Sequence, residues 1–395
     1  MQRPITLGAA LLCCSACFAT DRQVALGGTG SIYPNIGAAI AASVNGDRIL
    51  VQPGTYPAFT VDRSVEILAL SASDPFGVAG NVAIVATADL NVTLNGALAL
   101  GSLTFTLNSF SPIEATINLT SCTFTNVDVY SGRAYLRMHA CTIKGALTFV
   151  RGTVSGCRIQ GDPVYMIAGQ SVLTLASGTS PASIPTRRYI VGNVIGELLS
   201  STYLPSVVTL ETDAPFTVSN NLLHGSAAAA AKPAVKTKKP RENYLVVTVE
   251  DCLISSFSSR GATNNTQPWM IDSVSMFQPA FTAMVQNNFI INALPFVPTA
   301  GSWSQAYNVF SNSLGTIDAS TGAPTVGSPA INSGDPSTAY LDLDLSRNDA
   351  GCWGGSWSMA NFLATGPSAK VAMVWAPRTA TSGQSLAITA AGFER

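Results

Sequence analysis

Charged residues are scarce in this sequence. Only 11% of the 395 residues are Asp, Glu, Lys or Arg, and the formal net charge is −1. Nucleic acids and anionic membrane surfaces are bound through clustered positive charge, which this balance does not supply. We therefore expect no nucleic-acid partner.

Familiar catalytic and metal-binding motifs are also missing. The two histidines, His139 and His224, lie far apart, and the body of the chain has no C-x-x-C pair. There is no phosphate-binding loop and no Ser–His–Asp order. These absences argue against a zinc site of the usual ligand spacing, against P-loop phosphoryl transfer and against a serine hydrolase.

Long hydrophobic runs are absent outside the N-terminus. Arg3 precedes an apolar stretch at residues 5–17, and Ala19 is a small residue suited to the position before a cut. This stretch is too short to span a membrane, so residues 1–19 are predicted to be a signal peptide of a secreted or cell-surface protein. Ser15-Ala16-Cys17 also resembles the end of a bacterial lipobox, although Cys14 stands where Leu is preferred. A lipid anchor at Cys17 is the alternative.

A short motif recurs along the body of the chain. It consists of a small or polar residue, Cys or Asn, any residue, and then an aliphatic residue or Phe. The Cys or Asn position is occupied in turn by Cys122, Cys141, Cys157, Asn193, Asn221, Cys252, Asn288 and Asn308. The first steps, of 19 and 16 residues, suit one turn of a β-helix built from three short strands. We interpret each 36-residue step as two repeats, and the steps of 28 and 31 as repeats with an inserted loop. The result is about fifteen coils over residues 44–355.

The repeated Cys or Asn position is interpreted as a structural column at a corner of the coil. Stacked Asn side chains can form a hydrogen-bonded ladder, and buried Cys behaves as a small hydrophobic residue that can replace Asn. Five of the eight cysteines lie in the body, and this odd number argues against a fully paired disulfide framework. A metal or redox site and a disulfide between Cys141 and Cys157 are the alternatives.

The N-terminal part of the body carries a second pattern. Residues 31–40 are interpreted as a short amphipathic helix, followed by the Asn45-Gly46-Asp47 turn, a strand from Arg48, and Pro53-Gly54-Thr55-Tyr56. This order resembles the N-terminal cap of the pectin-lyase-like superfamily. The resemblance implies an all-β fold: a right-handed, single-stranded parallel β-helix whose open end is covered by a short helix near residues 34–43. We assign residues 20–357 to this domain.

Two further segments are assigned from composition. Residues 225–243 combine an alanine run with five Lys and Arg residues and two prolines, and are predicted to be a disordered basic loop. Residues 358–395 are predicted to be a strand-rich tail or cap, with strands at 371–375 and 384–389. It would cover the C-terminal end of the β-helix.

Residues 327–355 resemble the terminal motif of bacterial secreted β-helix proteins. The segment opens with Gly-Ser-Pro-Ala-Ile and closes with Arg-Asn-Asp-Ala-Gly, with Asn332 where Asp is common and Cys352-Trp353 where Ala-Tyr is common. It also clusters oxygen donors of the kind that Ca²⁺ requires. A calcium site formed by Asp342, Asp344, Asn348 and Asp349 is one interpretation. The other is that these side chains cap turns and pair with Arg347.

The outer face of one strand holds the candidate chemistry. Tyr135, Arg137 and His139 alternate with apolar residues and are predicted to face solvent, with Arg151 aligned one coil further on. Superfamily enzymes act on polysaccharides along such a face, but the aligned positions on neighbouring coils are Thr, Asn and Ser, without carboxylates. We therefore predict an exported, non-catalytic protein that contacts glycans or other surface polymers. The alternative is a polysaccharide lyase or glycoside hydrolase, with Arg137, His139, Tyr135 and Arg151 as candidate residues.

Overall fold

The structure is a computed structural model. It describes residues 19–162 with gaps at 72–73 and 109–112, separate strand segments between 173 and 311, most of 313–355, Ser358, Ser385, and the segments 370–375 and 389–393. No helix within these residues is long and apolar enough to cross a membrane.

Short strands wind into three long parallel sheets, which confirms the predicted parallel β-helix. We assign the right-handed winding that connections between parallel strands of one sheet adopt. In spatial order, the first sheet contains Ile32–Tyr33, Asp21–Val24, Arg48–Val51, Glu66–Ala69, Leu90–Asn95, Ala115–Thr120, Ala134–His139, Gly152–Ser155, Arg188–Val191, Phe216–Ser219, Leu245–Glu250, Phe281–Gln286 and Ser302–Ala306.

The second and third sheets complete each coil. The second sheet contains Thr55–Tyr56, Phe76–Val78, Ala97–Ala99, Thr123–Phe124, Thr142–Ile143, Arg158–Ile159, Val194–Ile195, Leu222–Gly225, Leu253–Ser256, Phe289–Ile291 and Val309–Ser311. The third sheet contains Phe59–Val61, Val82–Ala86, Leu103–Leu107, Val127–Val129, Leu147–Phe149, Leu173–Leu175, Val208–Leu210, Val235–Thr237 and Ile271–Ser273.

The core is a stack of like side chains. Val92, Ile117 and Leu136 are paired in register on successive strands of the first sheet, and all three are fully buried. Side chains of a strand alternate between its two faces, so one face of every strand points into the tube. Each coil therefore buries its apolar residues against its neighbours, so the core lengthens with the number of coils. A second buried cluster joins Leu222, Phe289 and Ile291 to Ile317, Ala330, Ala350 and Cys352.

A left-handed residue turns the chain at the end of several first-sheet strands. Ser121, Ala140, Asn287 and Tyr307 have φ between 52° and 57°, and Gly156 and Gly192 have φ of 60° and 63°. This conformation is uncommon for residues with a side chain, so the bend must be imposed by the coil geometry. The next residue is in each case the Cys or Asn of the repeated motif, which places this column at the corner between the first and second sheets.

The corner column forms the predicted hydrogen-bonded ladder. The Asn193 Oδ1 accepts from the Cys157 backbone N–H at 2.9 Å, and the Asn193 Nδ2 donates to the Asn221 Oδ1 at 2.9 Å. The backbone N–H and the Nδ2 of Asn288 both donate to the Asn308 Oδ1, at 3.1 and 2.9 Å. The structural interpretation of the column is thereby supported along the described coils, whereas Cys252 lies outside the described residues.

Cysteine donates to the same carbonyls in this column as asparagine does. The Cys157 Sγ donates to the carbonyl two residues earlier, Ser155 O, at 3.3 Å and to Met138 O on the previous coil at 3.6 Å. The Asn221 Nδ2 donates to the equivalent carbonyls of Ser219 and Ile190, at 2.9 and 2.6 Å. Cys122, Cys141 and Cys157 are buried and not joined in disulfides. Burial raises the pKa of the Cys122 and Cys141 thiols well above the ordinary value, which keeps them protonated as donors.

The prediction of about fifteen coils is wrong. Among the described residues, the first sheet has eleven strands from Arg48–Val51 to Ser302–Ala306. The 36-residue step from Cys157 to Asn193 is one coil, because the two residues are joined directly by a hydrogen bond and their strands pair side by side. The long steps are single coils that carry insertions, so the chain forms fewer coils than predicted.

The N-terminal cap is confirmed as a helix over Ile36–Ala42. The Asn35 side chain accepts a hydrogen bond from the Ala38 N–H at 2.8 Å and so caps the first turn. Ile36, Ala39 and Ile40 are buried against the first coils, which shields the end of the apolar stack from water. Ile32–Tyr33, which the sequence pattern placed on the helix, is instead a short strand of the first sheet.

The structure differs from the two assignments that were made from composition, those of residues 225–243 and 358–395. Val235–Thr237 lies inside the segment predicted to be disordered, yet it is a strand paired with Val208–Leu210. Its alternating Val and Thr suit a strand better than a loop. In the tail, Lys370–Trp375 pairs antiparallel with Thr389–Phe393. The first of these strands agrees with the prediction, and the second begins where the predicted strand ended.

Substitutions of Cys141 test the column. Cys141→Asn should be tolerated best, since Asn fills the same position in later coils, and Cys141→Ser should be mild. Cys141→Leu should overpack the corner, remove the donor to His139 O at 3.3 Å, and cost about 1–3 kcal/mol. Thermal melting of the three variants measures this order, and a greater loss for Asn than for Leu would contradict it.

Candidate functional site

The candidate site lies on the outer face of the first sheet, across three consecutive coils. The strands Ala115–Thr120, Ala134–His139 and Gly152–Ser155 pair in parallel, and their register places Asn118, Arg137 and Thr153 side by side. We call the outward side chains of these strands, with Asn91 and Thr93 on the preceding coil, the polar strip. Neighbouring strands lie about 4.8 Å apart. Asn118 and Arg137 therefore present polar groups at this spacing, whereas Thr153 on the next coil is buried, with 2% of the residue exposed.

Arg137 and Tyr135 form the centre of the polar strip. Arg137 is exposed, and its guanidinium carbon lies 5.4 Å from the centroid of the Tyr135 ring, in the range of a cation–π contact. The Tyr135 hydroxyl lies 3.3 Å from the Thr153 Oγ1 on the next coil. The ring is thereby fixed on both sides, and the guanidinium keeps its donors available to solvent.

Asn118 extends the strip on the other side of Arg137. Its Nδ2 donates to the Asn91 Oδ1 at 3.0 Å and lies 3.3 Å from the Thr93 Oγ1. These contacts cross from one coil to the next and hold the amide in one orientation. The strip therefore combines a charged donor, an aromatic ring, hydroxyls and amides on one outer face.

His139 is buried, and its predicted exposure is wrong. Only 7% of the residue is exposed, and its Nδ1 lies 2.6 Å from the Ser155 Oγ. Burial, followed by the nearby charge of Arg137, lowers the pKa of His139 to about 4. The imidazole is therefore neutral at neutral pH. Thr120 and Ser155, which align with His139 on the neighbouring coils, are buried as well, so this end of the strands is not open to solvent.

Arg151 is also buried, with 1% of the residue exposed. Its alignment one coil beyond Tyr135 is as predicted, because the Leu136 N–H donates to Arg151 O. Its Nε donates to Ala134 O at 3.4 Å, and its Nη2 lies 3.6 Å from the Glu114 Oε1. Arg151 thus belongs beneath the surface, where it neutralises a carboxylate and does not offer its own charge to solvent.

Glu114 is the site residue that the sequence interpretation missed. It is half-buried, and its backbone N–H donates to the Asp89 Oδ1 at 2.9 Å. Two carboxylates on neighbouring coils therefore adjoin the polar strip, which the sequence interpretation had described as lacking them. The outward positions compared in that interpretation started at Thr116, whereas Glu114 immediately precedes the strand Ala115–Thr120. The signal was an acidic residue directly before two consecutive first-sheet strands.

The predicted calcium residues form turn caps. Asp342 accepts from the Asp349 N–H at 3.1 Å and the Gly355 N–H at 2.6 Å, while the Asp344 Oδ1 accepts from the Ser346 N–H at 2.9 Å. The Asp349 Oδ1 accepts from the Asn332 N–H at 2.6 Å, and Asn348 is fully buried. Burial, with the charges of Asp349 and Asp344 acting in the same direction, raises the pKa of Asp342 to about 6.

These contacts match the alternative interpretation in part. The carboxylates cap turns, but Arg347 donates to the carbonyls of Gly334 and Ser333 at 2.9 and 3.4 Å. The described residues contain no group of three or more His, Cys, Asp or Glu side chains close enough to hold a metal ion. Calcium binding by Asp342, Asp344, Asn348 and Asp349 stays a prediction.

The fold and the site together define a solenoid protein, a parallel β-helix with a polar and aromatic strip on one outer face. Among solved structures, the chain is similar to that of the pectate lyase Pel9A, with 14% sequence identity and a TM-score of 0.49. The match covers 85% of this chain and 96% of the other. No protein-family model and no curated protein sequence matches the chain.

Proposed function

We propose that the protein is exported to the cell exterior or its surface, and that it binds polysaccharide along the polar strip. The observation that carries this proposal is the exposed guanidinium of Arg137 held against the ring of Tyr135 and beside Asn118. Sugars are bound by such combinations, because an aromatic ring packs against the apolar face of a pyranose while amides and guanidinium groups hydrogen-bond its hydroxyls.

The length and direction of the strip favour a polymer over a single sugar. Asn91, Asn118 and Arg137 occupy successive coils along the axis of the β-helix, and each of them has exposed surface. A glycan chain that runs parallel to the axis would meet one polar position per coil. Arg137 gives the strip a positive centre, so a uronate polymer, which carries carboxylates, is the preferred ligand class.

Replacement of Arg137 by alanine should weaken uronate-polymer binding about tenfold, which corresponds to loss of one charge-assisted hydrogen bond. Titration calorimetry with polyuronates and neutral glucans measures this change. Arg158→Ala is the matched control, because Arg158 is also exposed but lies on the second sheet, away from the strip. Unchanged affinity in Arg137→Ala, or an equal loss in Arg158→Ala, would refute the site.

A polysaccharide lyase is the second candidate, favoured by the exposure of Arg137. A lyase removes the proton next to a uronate carboxylate, and an arginine can act as the base when another positive group neutralises the substrate. The same polymers, followed by ultraviolet absorbance, test this activity. Unsaturated chain ends that appear with the native chain and not with Arg137→Ala would identify a lyase, and their absence would leave binding as the function.

A further inference from the structure

The N-terminal cap contains a fully buried carboxylate, that of Asp47, which is 0% exposed. Its Oδ2 accepts from the Arg22 Nε at 2.8 Å and from the Val44 N–H at 3.0 Å, and its Oδ1 accepts from the Thr20 backbone N at 2.9 Å. The Arg22 Nη1 also donates to the Tyr33 hydroxyl at 2.9 Å. Asp47 therefore ties Thr20 and the strand Asp21–Val24 to the turn that precedes the strand Arg48–Val51.

The Asp47 carboxylate is ionised at neutral pH. Burial by itself would raise its pKa, but hydrogen bonds from the Val44 and Thr20 N–H groups and from Arg22 outweigh burial, so the pKa is lowered. A buried carboxylate that is ionised gains from every positive donor within hydrogen-bond distance. The nitrogen of Thr20 occupies one such place.

Thr20 is also the first residue after the predicted signal-peptide cut. Ala19 and Thr20 are both exposed, and the first strand begins immediately afterwards at Asp21. A cut at this bond therefore leaves the strand and the cap in place. It changes one thing at the Asp47 carboxylate, namely the chemical nature of the Thr20 nitrogen.

We propose that cleavage after Ala19 turns the Thr20 nitrogen into an α-ammonium group that forms an ion pair with Asp47 and thereby locks the N-terminal cap. One water molecule is consumed in the hydrolysis. The Ala19 carbonyl gains the oxygen and leaves as a carboxylate, while the Thr20 nitrogen gains the protons and becomes an ammonium group. This inference depends on the proposed export signal and is independent of glycan binding at Arg137.

The charges around this nitrogen permit the added ammonium group. The strand Asp21–Val24 contributes Arg22, and Ile32–Tyr33 contributes Tyr33. The helix Ile36–Ala42 carries no ionisable side chain. Arg48 is directed to the surface, with its Nε 3.6 Å from the Asp21 Oδ1 and 3.9 Å from the Glu66 Oε2. Asp47 is thus the carboxylate within hydrogen-bond distance of the Thr20 nitrogen, and Arg22 is the cation that shares it.

The pH dependence follows from the pairing. An α-amino group has a pKa of about 7.7–8.0 in an unfolded chain, and a neighbouring carboxylate raises it in the folded chain. A raised pKa in the folded state gives stabilisation that is fully present below about pH 7.7 and is lost as the pH rises through the folded value.

The test compares two forms of the chain 20–395 that differ only at the Thr20 nitrogen. In one the amine is unblocked, and in the other it is acetylated. At pH 6 the unblocked form should melt about 2–4 °C higher, and the difference should vanish at about pH 11, where the amine is neutral. Equal melting temperatures at pH 6 would overturn the ion pair, and a chain starting at an acylated Cys17 in the exported protein would overturn the proposed cut.

Two further measurements test the role of Asp47 and the state of the Thr20 amine. In Asp47→Asn, the melting difference between the unblocked and acetylated forms should disappear. Should that variant fail to fold, acylation kinetics on the native chain remain decisive, with the Thr20 amine reacting about tenfold more slowly when folded than in urea. An equal rate in both states would overturn the proposal. Uronate binding should be identical in the unblocked and acetylated forms. A result against the Thr20–Asp47 ion pair is therefore distinguishable from a result against the Arg137 site.

Discussion

Replacement of Gly152 by alanine should cost roughly 3–5 kcal/mol of folding free energy. Gly152 begins the first-sheet strand Gly152–Ser155 with φ of 149°, a conformation that residues with a side chain rarely adopt. A Cβ at this position would overlap the Leu136 carbonyl oxygen on the preceding coil. The obstacle is backbone that already pairs with this strand, so neither coil can move without breaking the stack.

Urea denaturation of Gly152→Ala measures this loss. Gly37→Ala is the matched control, because Gly37 lies in the helix Ile36–Ala42 and its added Cβ would meet only the Asn35 Oδ1, at an ordinary 3.6 Å. Alanine favours a helix over glycine by up to about 1 kcal/mol, so this variant should be slightly more stable than the native chain. A cost below about 1 kcal/mol for Gly152→Ala would contradict the close approach of these two coils.

The fold could be predicted because its signals are local and repeated. The corner column shows itself in the sequence, since Cys141 and Asn193 occupy the same place relative to the strands that flank them. The number of coils could not be predicted. A 36-residue step is compatible with two plain coils or with one coil and a long insertion, and only the pairing of Arg158–Ile159 with Val194–Ile195 decides between them.

The candidate site was predicted in part. Alternation along Ala134–His139 gives the inner and outer faces correctly, and it places Arg137 on the exposed outer surface. It does not report which of the remaining positions are buried, so the burial of His139 and Arg151 was not foreseen. That information depends on contacts between residues far apart in the chain. Glu114 was missed because it stands just before its strand, where the two-residue alternation of inward and outward side chains does not apply.

Replacement of Asn193 by leucine should cost roughly 3–5 kcal/mol, because it removes both an acceptor and a donor from the interior of the stack. The Cys157 N–H would lose its acceptor, at present the Asn193 Oδ1 at 2.9 Å, and Val154 O would lose a donor at 2.9 Å. The Asn221 Oδ1 would lose the donated bond from the Asn193 side chain. These groups are buried, so water cannot replace the missing partners.

Asn193→Cys is the matched control, and it should cost about 1 kcal/mol. Cysteine already makes the donated bonds in this column, since the Cys157 Sγ donates to two carbonyls, and its sulfur is a weaker acceptor than the amide oxygen that it would replace. Equilibrium unfolding of the two variants, followed by circular dichroism, measures the difference. If Asn193→Leu is no less stable than Asn193→Cys, the ladder contributes nothing beyond the packing of the corner, and apolar contact alone holds the coils in register.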